Sequence, residues 1–186
     1  MKPTIHRVSS TQTPVLPTAT RTTEVLGVQT LAIVQSFTDR ILINLTQLSR
    51  FGCMYQATTP SAPPSLSQPS WSTSHDDATT QNLPRPYPST MISKLVGTEP
   101  TPSHAALYHL YLSQIAAIVR NNAPQDTRPL IISLALKPHP SASSSHTTGS
   151  NAEQDQEQDE EDLILNPQER ERFLQCMLLV QSCRVW

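Results

Sequence analysis

Proline decides how this sequence can be divided. Seven of its 17 prolines fall between residues 58 and 88, among Ser, Thr, Gln and Asn. Each proline removes a backbone donor and fixes φ, so neither a helix nor an interior strand runs through such a stretch. Two other stretches are equally poor in core-forming residues. Residues 1–20 carry Pro3, Pro14 and Pro17 with little apolar periodicity, and 137–165 run through a Ser/Thr/His stretch into the acidic run Glu153–Asp162. Such compositions bury too little apolar surface to offset chain entropy. Residues 1–20 are therefore expected to be a disordered tail, and 58–88 and 137–165 disordered insertions. The remaining blocks, 21–57, 89–136 and 166–186, are the size of one small domain, spread across 21–186.

The first block reads as strands joined by short connections. Thr22 to Val28 is β-branched and apolar, with Gly27 read as a bulge or a close backbone approach. Gln29 to Phe37 alternates Leu31, Ile33 and Gln35 against Ala32 and Val34. Thr38-Asp39-Arg40 supplies a turn, and Ile41, Ile43 and Leu45 share one face of the next strand. Ser49 to Gly52 reverses the chain into Cys53–Ala57. Connections this short predict an antiparallel meander, since parallel pairing needs a long crossover.

The second block opens with a strand, Thr90 to Val96, closed by Gly97. Thr101-Pro102 offers an N-cap and a proline at the first helical position, and the helix stops before Pro124. Its polar stripe, His109, Ser113 and Arg120, is narrow, so it should be covered on more than one side. Leu130 to Leu136 is a strand apolar on both faces. In the third block Asn166, Pro167 and Glu169 form a capping-box-like helix start. Phe173, Cys176, Met177, Val180 and Cys183 make one apolar stripe, and Trp186 at the chain end is expected to dock. The fold class is α+β, a single antiparallel sheet of about six strands with two helices packed on one face.

Most chemistries find no residues to carry them. The acidic run holds seven of fifteen acids, and the ordered blocks carry no Lys/Arg cluster or RNA-binding signature, so no nucleic-acid partner is expected. Pro3, His6 and Arg7 lead into polar sequence rather than an apolar leader, and Ala105–Val119 is too short and polar to span a bilayer, so no membrane partner is expected. Three cysteines without a spaced framework fit a reducing compartment, where the sequon Asn44-Leu45-Thr46 goes unused. Cys53, Cys176 and Cys183 read as buried structural residues; a cysteine enzyme would need an exposed Cys53 beside a histidine. His104 and His109 lack metal-ligand spacing, and four glycines leave no phosphate-cradling loop. Pro84-Arg-Pro-Tyr-Pro88 reads as a stiff linker in preference to a polyproline ligand. Neither a cofactor nor a metal is expected, and binding through surfaces remains.

Several motifs then fall into a familiar order. Thr23-Glu-Val with Gly27-Val28 and Thr30, Phe37 with Ile41–Ile43, Thr46-Gln47 through Gly52, and the terminal Cys183-Arg-Val-Trp186 together resemble the proteasome assembly chaperone 3 family. Met91 to Leu136 matches its order of strand, long helix and apolar strand. The chain departs from the family where Ser49 and Arg50 stand in place of a glycine and a lysine, and in its long, fungal-type insertions. The resemblance implies a non-enzymatic chaperone of cytoplasm and nucleus. It would pair with a related assembly chaperone 4-like partner, or with itself as a homodimer, and bind proteasome α subunits during α-ring assembly of the 20S core particle. The structural and interface candidates are Thr46, Gln47, Arg50, Gly52, Leu107, Tyr111, Phe173 and Trp186. A small α/β dimerisation module of a trafficking or signalling scaffold is the alternative, distinguished by what co-purifies.

Overall fold

Along Ile41–Thr46, Ile41, Ile43 and Leu45 alternate with Leu42, Asn44 and Thr46, and this alternation sorts an entire sheet into two faces. The computed structural model describes residues 16–60, 83–101, 103–138 and 166–186. Its strands are β1 (Thr18–Val25), β2 (Val28–Ser36), β3 (Ile41–Thr46), β4 (Cys53–Thr58), β5 (Met91–Val96) and β6 (Leu130–Ala135). The helices are α1 (Ser103–Asn122) and α2 (Pro167–Gln181). All six strands form one sheet in the order β1-β2-β3-β6-β4-β5. The fold is α+β.

The meander holds for β1, β2 and β3 and then breaks. β6 lies between β3 and β4, parallel to β3 and antiparallel to β4, so the sheet is mixed where sequence predicted antiparallel pairing throughout. The physical reason is burial. Leu130–Ala135 is buried at all six positions, and only a central strand offers neighbours on both edges. α1 supplies the crossover that a parallel neighbour requires.

Register carries the alternation across the sheet. Ala32 and Val34, Ile41, Ile43 and Leu45, Leu130, Ile132 and Leu134, and Cys53, Tyr55 and Ala57 share one face. They form a single core cluster with Leu107, Tyr108, Tyr111, Leu112, Ile115 and Ile118 of α1 and Cys176, Met177 and Val180 of α2. Each such Leu or Ile removed from water contributes about 1.5–3 kcal/mol, so both helices are held on this face.

Three local expectations change. The stretch Thr22–Val28 is not one bulged strand. Leu26 (φ 50°) and Gly27 (φ 76°) form a two-residue turn between paired Val25 and Val28, a type I′ hairpin geometry. Arg120 does not lie on an exposed stripe; it is 7% exposed and donates to the carbonyls of Pro124, Asp126 and Thr59. Glu169 closes no capping box, since its carboxylate accepts from Tyr111 Oη at 2.9 Å, whereas Asn166 caps α2 as expected, accepting from Gln168 N at 2.9 Å.

The expected tail and insertions lie mainly outside the described residues, but their edges do not. Thr18–Thr20 belong to β1 and Thr58 to β4. Leu83 packs against the core, and the Pro84 carbonyl accepts from Gln114 Nε2 at 2.6 Å. Leu83 and Pro84, at the head of the Pro84–Pro88 run, are thus held on the domain.

Candidate functional site

The sequence candidates separate into two groups and an outlier. Thr46, Gln47, Arg50 and Gly52 gather at the β3–β4 turn. Thr46 Oγ1 accepts from Leu48 N at 3.1 Å and Arg50 N at 3.4 Å, closing the turn around Ser49, which takes φ 54°. Gln47 is buried; its Nε2 donates to Thr30 Oγ1 at 3.0 Å, and its Oε1 accepts from Lys137 N at 3.1 Å. One amide thereby ties the ends of β2, β3 and β6 together. Gly52 is required by contact, because a Cβ there would stand 1.8 Å from the Leu134 carbonyl oxygen. Arg50 is exposed.

Leu107, Tyr111 and Phe173 meet where α1 packs on α2. Tyr111 presents its ring edge-on to Phe173 at 5.0 Å, and its hydroxyl reaches Glu169. Glu169 forms an ion pair with Arg172, whose Nη1 donates to the Lys137 carbonyl at 2.6 Å. Burial pushes the Tyr111 hydroxyl well above its ordinary range. Trp186 packs half-buried against the core beside Val185, and its Nε1 is buried without a partner. Seven of these eight residues hold the domain together internally. Arg50 alone of them presents its side chain to solvent.

The second face of the sheet carries no helix, and of its residues only Thr46 was among the candidates. Register places Leu31, Ile33, Leu42, Asn44, Thr46, Ile131, Ser133, Ala135, Met54 and Gln56 there. Neither helix lies over this face, and Leu31, Ile33, Leu42 and Met54 are half-buried outside the core cluster. At the β5 edge it continues through Met91, 71% exposed, and Val96, 59% exposed. On the four inner strands it carries no ionisable side chain. The signal was present in the sequence: β2 and β6 carry apolar residues at both parities, which a sheet with one wet face does not need.

Elsewhere the polar chemistry is internal. All three cysteines are free and buried, and burial raises each thiol, Cys176 to about 12, so none is poised as a thiolate. His104 sets Nδ1 2.6 Å from Thr101 Oγ1 and stands edge-on to Tyr108, with burial lowering its pKa. Lys94 Nζ lies 2.8 Å from Glu99 Oε2, and Tyr55 Oη donates to Glu99 Oε1 at 2.5 Å. These two contacts hold the Glu99 carboxyl down to about 2. Among the described residues no group of three His, Cys, Asp or Glu is placed to hold a metal ion, and no helix is long and apolar enough to cross a membrane.

No protein-family model matches the chain, and no curated protein does. Among solved structures it is similar to a chain in the crystal structure of a novel chaperone complex for yeast 20S proteasome assembly. The identity is 14% and the TM-score 0.38, over 64% of this chain and 79% of that one.

Proposed function

We propose that this chain is a non-enzymatic assembly chaperone, working without a cofactor in the cytoplasm and nucleus. It pairs through its open sheet face and binds proteasome α subunits to promote α-ring assembly of the 20S core particle. The observation that carries the pairing is that face: Leu31, Ile33, Leu42 and Met54 stand half-buried on it with no helix above them. An apolar patch of this kind on a small domain marks a protein-binding surface. A second sheet laid on it at about 10 Å completes a sandwich core. The α-subunit assignment rests on the sequence resemblance at Thr46–Gly52 and Cys183–Trp186.

Capture on an N-terminal tag followed by mass spectrometry tests both parts. α subunits and a small related partner are expected with the wild-type chain. Ile33→Glu with Leu42→Glu should abolish recovery of the partner while leaving the thermal melt of the domain unchanged. Recovery of membrane-traffic components without α subunits would favour the dimerisation module of a trafficking scaffold. Undiminished pairing by the double variant would remove the open face from the account.

A further inference from the structure

Phe51, absent from the sequence candidates, is an apolar ring held still in water. The backbone on both sides of it is fixed: Arg50 N donates to Thr46 Oγ1 at 3.4 Å, and Gly52 N donates to Ser133 Oγ at 3.0 Å. Both hydroxyls belong to buried residues. Gly52 also lies hard against β6, where a Cβ would meet the Leu134 carbonyl oxygen at 1.8 Å. Between these anchors Phe51 is 60% exposed, the one aromatic among the large apolar side chains that the described residues leave in water. Charge accompanies the ring. Arg50 is exposed and joins no ion pair among the described residues. Lys137, exposed and equally unpaired, stands at the same end of the sheet, where its N–H donates to Gln47 Oε1 at 3.1 Å. Residues 46–52 contain no acid.

We propose that the β3–β4 turn is a docking knob, in which Phe51 enters an apolar pocket of a folded partner protein and Arg50 and Lys137 meet carboxylates at the rim of that pocket. The inference rests on the reading that this chain binds α subunits, and it names the surface that does so. Charge selects the partner. Two unpaired cations with no acid between them have an acidic rim as their complement, and an aromatic beside an arginine is the composition of interface anchors. A nucleic acid fits less well, since a strand is tracked by many cations and by successive stacking rings. Preorganisation supports the same assignment. A ring whose backbone is already fixed loses little further freedom on binding, so more of its burial appears as affinity. The turn thereby divides its labour: Thr46, Gln47 and Gly52 build it from inside, and Arg50 and Phe51 are what it presents.

Capture of the full chain on an N-terminal tag tests this, with α subunits and the small partner quantified separately by mass spectrometry. Phe51→Ala and Arg50→Glu should each recover about tenfold fewer α subunits than wild type. Arg50→Lys should keep most of the recovery, because the rim calls for positive charge. Recovery of the small partner and the thermal melt should not change, since both residues are exposed. Undiminished α-subunit recovery by Phe51→Ala or by Arg50→Glu overturns the knob and leaves α-subunit binding standing. An Arg50→Lys protein that falls as far as Arg50→Glu overturns the acidic rim. Loss of the small partner together with the α subunits puts the turn in the pairing surface and overturns the assignment. A wild-type chain that recovers no α subunits overturns the functional reading and this inference with it. Should Phe51→Ala melt lower than wild type, Arg50→Glu decides alone, because it alters only an exposed side chain.

Discussion

Leu26 holds φ 50° at the first position of a hairpin turn where glycine or asparagine is the usual occupant. A left-handed conformation costs an ordinary L-residue about 1–2 kcal/mol, and Leu26, 45% exposed, recovers little of it by packing. Leu26→Asn should therefore stabilise the domain by about 0.5–1 kcal/mol, read as a Tm rise of about 2–5 °C. An unchanged or lower melt would mean that the leucine has a contact worth its strain. The same residue explains why the first hairpin escaped sequence reading: a leucine masked the turn, and Gly27 alone looked like a bulge. Glu99 makes the second prediction at this scale. Its folded pKa lies below the ordinary 4.5, at about 2, through Lys94 and then Tyr55. The contribution is complete above pH 4.5 and is lost as pH falls from 4.5 toward 2. Melts across that window should slope for wild type and flatten for Glu99→Gln.

At the scale of elements, strand alternation and helix ends were legible, while the neighbours of each element were not. Asn166 and Pro167 announce α2 by local chemistry, and Leu130–Leu136 announces a doubly buried strand by composition. No local rule places that strand between β3 and β4, because strand order is decided by which arrangement buries the most apolar surface. Glu169 shows the same limit. Its spacing from Asn166 suits a cap, but a buried tyrosine and a buried arginine claim it instead. Removing one member of such a pair leaves a charge stranded. Arg172→Met should cost about 3–5 kcal/mol, whereas Arg172→Met with Glu169→Leu should recover most of that. Denaturant melts of the two variants make the comparison, and equal losses would show that the charges are not coupled.

For the whole molecule, the division into blocks placed the core, and helices on one face of the sheet already implied a second face left for a partner, while alternation alone did not say which residues stand on it. In β2 the larger residues, Leu31 and Ile33, face away from the helices and the smaller Ala32 and Val34 face toward them. That inversion is what a second layer would need, and a reading that assigns large residues to the core passes over it.

The insertion of β6 beside β3 also governs how the protein comes into being during translation. Ile41 pairs with Leu130, so the inner edge of β3 stays open while β4, β5 and α1 are synthesised. Until β6 emerges, the nascent chain presents two half-sheets, each with an unpaired apolar edge. A chain ended at residue 128 should accordingly be digested by protease as an unfolded polymer, whereas the full chain resists. Resistance in the shortened chain would show that the first three strands fold by themselves. The ribosome thus releases the central strand after both of its neighbours, and the yield of native protein depends on how long those edges stay soluble.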